Sequence, residues 1–242
     1  MQNRYLQALK KMRMIKNTFL LIITFVISSC AAQGNYKDYY YPIGAQKEVK
    51  IYKYIDKNNP NNIEYWKVTT NPSAEKILTE SYTTDFRLYN IFEEQLNENG
   101  AEVIRYADFN KSNDGKNIRI DGNIIDKDVY RWADDTKFKY SVKYKSPEYG
   151  NEQFIKERTK NRFEDINVRG TDYSTLVFMD EYEIKSLDNE QTYEYYQLTY
   201  YAKDIGMVKY QRYHPDGTTI ILELEKILTE QEFENLGGKA SR

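Results

Sequence analysis

The chain is expected to fold as a mainly β protein: an antiparallel curved sheet or half-barrel meander, with two similar halves as one arrangement, and a short C-terminal helix. Three observations predict this. Tyrosine is plentiful, 24 residues against 11 glycines and 5 prolines, and it favours strands, where its ring covers the sheet and its hydroxyl reaches water. Apolar and polar residues alternate with period two through much of the chain after residue 39, as the two faces of a strand require. Turn-forming clusters interrupt the alternation at meander spacing rather than at the spacing of βαβ units. So aromatic a chain is not disordered.

The N-terminal part reads as an address rather than as structure. Five basic residues (Arg4, Lys10, Lys11, Arg13, Lys16) precede about eleven mostly apolar residues, then Ser28 and Ser29, then Cys30. Basic start, short apolar run and small residues at the cut make a secretory signal. The run is about half of the roughly 20 residues that a membrane span needs. Cys30 is the only cysteine, so no disulfide partner exists within the chain. Met12 and Met14 offer alternative starts to Met1. The expected organisation is a leader over 1–29, a lipidated tether over 30–38, one β-rich domain over 39–236 and a flexible tail over 237–242. The chain carries −2, and the leader holds five bases and no acids, which leaves −7 on the remainder. Nucleic acid is therefore not an expected partner, since phosphates demand clustered Lys and Arg.

Within the domain, Val49, Ile51 and Ile55 alternate with Lys50, Tyr52 and Tyr54 as a first strand. An Asn/Pro-rich turn over 57–62 reverses the chain, because Pro presets φ and Asn tolerates the left-handed region, and 63–69 returns. Residues 85–97 fit either a helix face (Phe86, Tyr89, Phe92, Leu96) or a strand (Phe86, Leu88, Phe92). Asn99-Gly100 would accordingly cap a helix or make a hairpin turn into 101–109. The strand-like flanks favour the hairpin.

Six strands are expected in the second half, over 138–145, 153–163, 175–184, 193–202, 207–214 and 218–228. Pro215-Asp216-Gly217 is a turn between the last two. Thr229-Glu230-Gln231-Glu232 is a capping box that opens the terminal helix. The hairpins over 51–68 and 207–224 share a plan, which motivates the two-halves arrangement.

Chemistry-bearing residues are sparse. His214 is the only histidine and flanks a turn, so neither a triad nor a zinc centre has its parts; no catalytic residue and no metal ligand is assigned. Asn110 to Gly115 with Asp121 at the twelfth place resembles a degraded calcium loop, although an Asn/Asp/Gly turn explains it as well. Carboxylates are abundant (Glu93, Glu94, Asp134, Asp135, Asp180, Glu181, Glu183), and a glycan hydrolase of the two-carboxylate type is a minor alternative. Tyr193, Tyr195 and Tyr201 share one strand face while Tyr196 and Tyr200 share the other. With Trp66 and Trp132, the first three are the candidate binding residues, against ordinary sheet packing. Gly206, Asp204 and Gly217 are candidate structural turn residues.

Ile27-Ser28-Ser29-Cys30 resembles the lipobox of bacterial lipoproteins, which implies a covalent lipid such as palmitate on Cys30 and no other cofactor. The stretch Tyr201-Ala202-Lys203-Asp204-Ile205-Gly206-Met207-Val208-Lys209 looks like a strand motif of uncharacterised Bacteroidota envelope lipoproteins, similar to DUF3108/TapB-like and LolA/LolB-like proteins. That resemblance spans roughly 137–228 and implies a bend at Gly206 with positive φ. It carries no catalytic residues. Ala31 after the cysteine implies the outer membrane, and the lack of an acidic run after Cys30 implies that the protein faces the periplasm. The expected role is a non-enzymatic binding or scaffold module for an envelope protein, a glycan or a lipid. The alternative is a lipid or lipoprotein carrier with an apolar cavity. Contact with the membrane would be through the lipid.

Overall fold

The computed structural model describes residues 36–111, 117–133, 137–189 and 191–240. The leader, Cys30, residues 112–116 of the calcium-like loop, and Asp134 and Asp135 lie outside the described residues.

Tyr36–Tyr39 forms a 3-10 turn. Thirteen strands follow in chain order: β1 (Glu48–Asp56), β2 (Ile63–Asn71), β3 (Lys76–Tyr82), β4 (Leu88–Leu96), β5 (Gly100–Lys111) and β6 (Asn117–Asp121). Then come β7 (Asn123–Arg131), β8 (Phe138–Ser146), β9 (Gly150–Val168), β10 (Thr171–Ser186), β11 (Thr192–Ala202), β12 (Gly206–Tyr213) and β13 (Thr219–Leu228). Helix α1 (Glu230–Ala240) ends the described chain. Residues 85–97 are therefore a turn and strand β4, and the helical alternative is not adopted. Tyr65 and Phe233 pack around Phe86 and draw it to the outer wall, off the helical face its spacing suggested.

Twelve strands close into an antiparallel barrel, and β6 is an extra strand outside it. β1 pairs with β13, which joins the first and last strands of the meander, and the consecutive strands β4 and β5 pair as a hairpin, so the twelve-strand ring is closed. The hairpins over 51–68 and 207–224 thus sit side by side.

The width of the barrel explains the tyrosines. Eight strands leave an interior that side chains just fill; twelve leave more. Large rings with polar tips fill most of that space. Tyr52, Tyr54, Tyr130 and Tyr210 are fully buried, and their hydroxyls find partners such as the carbonyls of Ile205, Met207 and Tyr36.

Outward positions are charged and paired, as in Lys53–Glu225 at 2.5 Å, Lys137–Glu181 at 2.6 Å and Arg105–Glu93 at 3.1 Å. One outer patch is apolar, and α1 covers it: Phe233 packs on Tyr65, Tyr82 and Phe86 over buried Ile51 and Leu228. The capping box forms as Thr229 N donating to Glu232 Oε2 (2.8 Å) and Glu232 N donating to Thr229 Oγ1 (3.2 Å).

The N-terminal boundary needs correction. The packed domain starts at Tyr36, not at 39, because Tyr36, Tyr40 and Tyr41 turn into the barrel while Lys37 and Asp38 stay in water. Tyr36 N donates to the Trp132 carbonyl at 2.7 Å, and Asp204 N donates to the Asp38 carbonyl at 2.7 Å. This segment stoppers one end of the barrel. The C-terminal end also differs: α1 continues to Ala240, past the expected tail boundary at 237.

Candidate functional site in the barrel lumen

Strand direction sets the two ends. β1, β3, β5, β8, β10 and β12 all finish at one end, so the turns at 57–62, 83–87, 147–149 and 214–218 form a mouth. The opposite end carries the 36–41 segment. A hollow of about 870 Å³ opens at the mouth beside Thr84, Arg87, Lys111 and Tyr149. Inside lies a cavity of about 310 Å³. Tyr89 and Asp108 border both, which makes them the step from mouth to lumen.

Tyr40 and Tyr41 make the floor. The Tyr40 ring lies 4.5 Å from Tyr130, 5.7 Å from Trp132 and 5.8 Å from Tyr201, and Tyr41 lies 5.3 Å from Tyr52. The bend after β11 receives them. Gly206 has φ +100°, and a Cβ there would stand 2.5 Å from Tyr41 Cδ1. Asp204 takes φ +61°, a conformation that aspartate tolerates.

The walls are aromatic with charged groups set among them. On β9, Lys156 and Arg158 follow Phe154 at alternate positions, so all three face inward. On β10, Asp180 shares the parity of Phe178 and Tyr182. Arg158 grips Asp180 with two hydrogen bonds, Nε to Oδ1 at 2.6 Å and Nη2 to Oδ2 at 2.8 Å. It also donates to Tyr201 Oη at 3.2 Å and stacks 5.0 Å from the Phe178 ring centre. Lys156 Nζ is 3.1 Å from Asp180 Oδ2, and Thr199 Oγ1 donates to that oxygen at 2.7 Å. Burial alone would raise the Asp180 carboxyl. The two cations and the hydrogen bonds more than reverse this and hold it below the usual carboxylate range. Burial, with Arg158 nearby, lowers Lys156 against the pull of Asp180.

Three further carboxylates face inward. Burial pushes Glu94 up to about 7, against the Tyr40 hydrogen bond and the Arg158 and Lys156 charges. Burial raises Asp108 as well, opposed by hydrogen bonds from Asn90 (2.8 Å) and Tyr106 (2.8 Å). Glu64 accepts from Tyr210, Tyr89 and Trp66 at 3.2, 3.0 and 3.0 Å. Arg212 completes the set, with its guanidinium 5.1 to 5.9 Å from the ring centres of Tyr210, Tyr195 and Tyr182.

Of the residues singled out in the sequence, Trp66, Tyr195 and Tyr201 border the lumen. Tyr193 stands at the rim, where its hydroxyl and His214 Nδ1 share a 2.8 Å hydrogen bond. Trp132 is part of the stopper, donating Nε1–H to the Asn97 carbonyl at 2.8 Å. Gly217 has φ +85° in the turn beyond β12. Tyr196 is exposed on the outer wall and stacks on Tyr213 at 4.7 Å. Two of the three tyrosines of the expected face, Tyr195 and Tyr201, are therefore on an inner wall. Glu93, Glu181 and Glu183 pair with surface lysines or arginines. β5 and β6 pair on either side of the calcium-like loop, Lys111 opposite Asn117. The cavity also differs from the apolar one a lipid carrier was expected to have: its lining includes Glu94, Asp108, Lys156, Arg158 and Arg212. The sequence reading missed Lys156, Arg158 and Arg212. Their parity with neighbouring aromatics was the available signal.

No family model matches the chain, and no curated protein matches it. Two solved structures resemble it in arrangement. One is a candidate lipoprotein of Parabacteroides distasonis, 12% identical, with TM-score 0.46, covering 78% of this chain and 97% of its own. The other is a candidate exported protein with a YmcC-like fold from Bacteroides fragilis, 12% identical, with TM-score 0.32, covering 78% of this chain and 99% of its own.

Proposed function

We propose that the chain is a lipid-anchored cell-envelope protein whose barrel lumen binds a small polar molecule. In this reading it is a non-enzymatic binding module, held by Cys30 to the outer membrane and facing the periplasm. One observation carries the lumen reading: a 310 Å³ space inside a closed barrel, lined by tyrosines and by charged side chains, below an open mouth. Ligand sites have this character, an aromatic cavity of about 300–1,000 Å³ with a few placed polar groups. The charged lining disfavours an acyl chain as occupant, since burying ionised groups against hydrocarbon is costly. The envelope reading rests on the leader and on Ile27-Ser28-Ser29-Cys30.

Two measurements test it. Native mass spectrometry of the mature protein, produced in a bacterial periplasm and released gently, should show a retained mass of a few hundred daltons that dissociates on collisional heating. A uniformly empty protein would count against lumen binding. Cys30→Ser should move the protein from the membrane fraction to the soluble periplasm. Unchanged sedimentation with membranes would remove the lipid anchor from the account.

A further inference from the structure

Three cationic side chains line the lumen, and the way their partners are shared sets one apart. Arg158 is fully engaged by Asp180, Tyr201 and, at 3.5 Å, the Val129 carbonyl. Asp180 must also serve Lys156, so within 4 Å one carboxylate stands against two cations, with Glu94 acting on both at longer range. Arg212 has no carboxylate within 4 Å among the described residues. Its Nε donates to Gln197 Oε1 at 3.1 Å, and its two terminal nitrogens find no acceptor there. Glu64, which acts on Arg212 at longer range, already has both oxygens taken. Tyr182, Tyr195 and Tyr210 hold the guanidinium by their faces. A planar fork held through its faces and its Nε, with four N–H donors on its two terminal nitrogens left over, is the arrangement that receives a bidentate oxyanion. Lys156 lies 5.0 Å from the same Tyr182 ring and supplies a second positive charge.

We propose that the lumen is an anion site, in which the terminal nitrogens of Arg212, assisted by Lys156, hold the carboxylate or phosphate of a small organic molecule. The body of that molecule packs on the tyrosine walls. The space equals the volume of about ten water molecules, which suits a molecule of about a dozen non-hydrogen atoms. This inference rests on the lumen-binding reading and narrows its ligand class.

The test is calorimetric titration of the mature protein with benzoate, inorganic phosphate and neutral benzamide, on wild type, Arg212→Gln, Arg212→Lys and Lys156→Gln. Thermal unfolding of each variant confirms folding. The expected result is saturable binding of benzoate or phosphate, at least 10-fold tighter than benzamide. Arg212→Gln should lose at least 10-fold and Arg212→Lys less; Lys156→Gln gives a second reading should the Arg212 variants not fold. Tight phosphate with weak benzoate identifies a phosphate ligand, and the reverse identifies a carboxylate on a flat body. Benzamide equal to benzoate overturns the anion assignment and leaves the lumen as a binding site. No saturable binding of either anion also overturns it, and the retained-mass measurement then decides the lumen reading separately.

Discussion

Tyr40 donates its phenolic hydrogen to Glu94 across the stoppered end of the barrel, joining the first packed segment to strand β4. Both residues are buried, so the bond ties the floor of the lumen to a carboxyl that titrates near neutrality.

That titration has a sign. Burial raises the folded-state pKa of Glu94 to about 7, above the ordinary 4.5. The folded chain therefore holds a proton that the unfolded chain has released between these values. Stability is greatest below about pH 4.5 for this group and falls as pH rises to about 7, by up to about 3 kcal/mol at ~1.4 kcal/mol per pH unit. Glu94→Gln should flatten that part of a urea-denaturation pH profile. Tyr40→Phe should cost about 1–3 kcal/mol.

Asp180 titrates in the opposite sense. Its carboxyl is held below the usual range by Arg158 and Lys156 despite burial, so its contribution is present at neutral pH and lost on strong acidification. Asp180→Ala leaves Arg158 buried without its counter-charge and should cost about 3–5 kcal/mol. The double variant Asp180→Leu with Arg158→Met should cost less than Asp180→Ala alone. Chemical denaturation of the three proteins checks the order.

Gly206→Ala should loosen the stopper. The new Cβ would meet Tyr41 at 2.5 Å, and alanine resists φ +100°, a strain of about 1–3 kcal/mol. A lower melting temperature and faster protease cleavage near residues 36–41 are expected. An unchanged cleavage rate would contradict the role given to the bend.

The two faces of β11 should respond differently. Tyr201, buried between Arg158, Tyr130 and Phe178, should cost about 3–5 kcal/mol on replacement by alanine. Exposed Tyr196→Ser should change stability by no more than about 0.5 kcal/mol. Equal losses would mean that the faces are assigned the wrong way round.

Much of the meander was legible. Alternation and the 215–217 turn located β8 to β13 within a few residues, because those strands have one wet face and one buried face. The barrel closure was not, since β1–β13 pairing joins segments whose contact no local pattern records, whereas β4–β5 is the hairpin that Asn99-Gly100 suggests. Residues 36–38 of the stopper fall within the expected tether because Tyr36-Lys37-Asp38 has no period and only Tyr36 among them is buried. The lumen charges were hidden for a different reason. A charged residue in a strand is ordinarily an outward one, and only in a barrel too wide to fill with hydrocarbon do Lys156, Arg158 and Asp180 belong on the inner face. Tyr195, Tyr201 and Trp66 were singled out in the sequence as candidate binding residues of a curved sheet, and closure of the barrel places them inside.

The central claim is that the lumen is a binding site and not merely a polar core. The most direct test is a high-resolution crystal structure of the mature protein purified from its own cell envelope without exchange. The account predicts continuous non-protein density in the 310 Å³ cavity, in contact with Arg212 and the lumen tyrosines. A lumen holding only separate water molecules, each bonded to these same side chains, would contradict it.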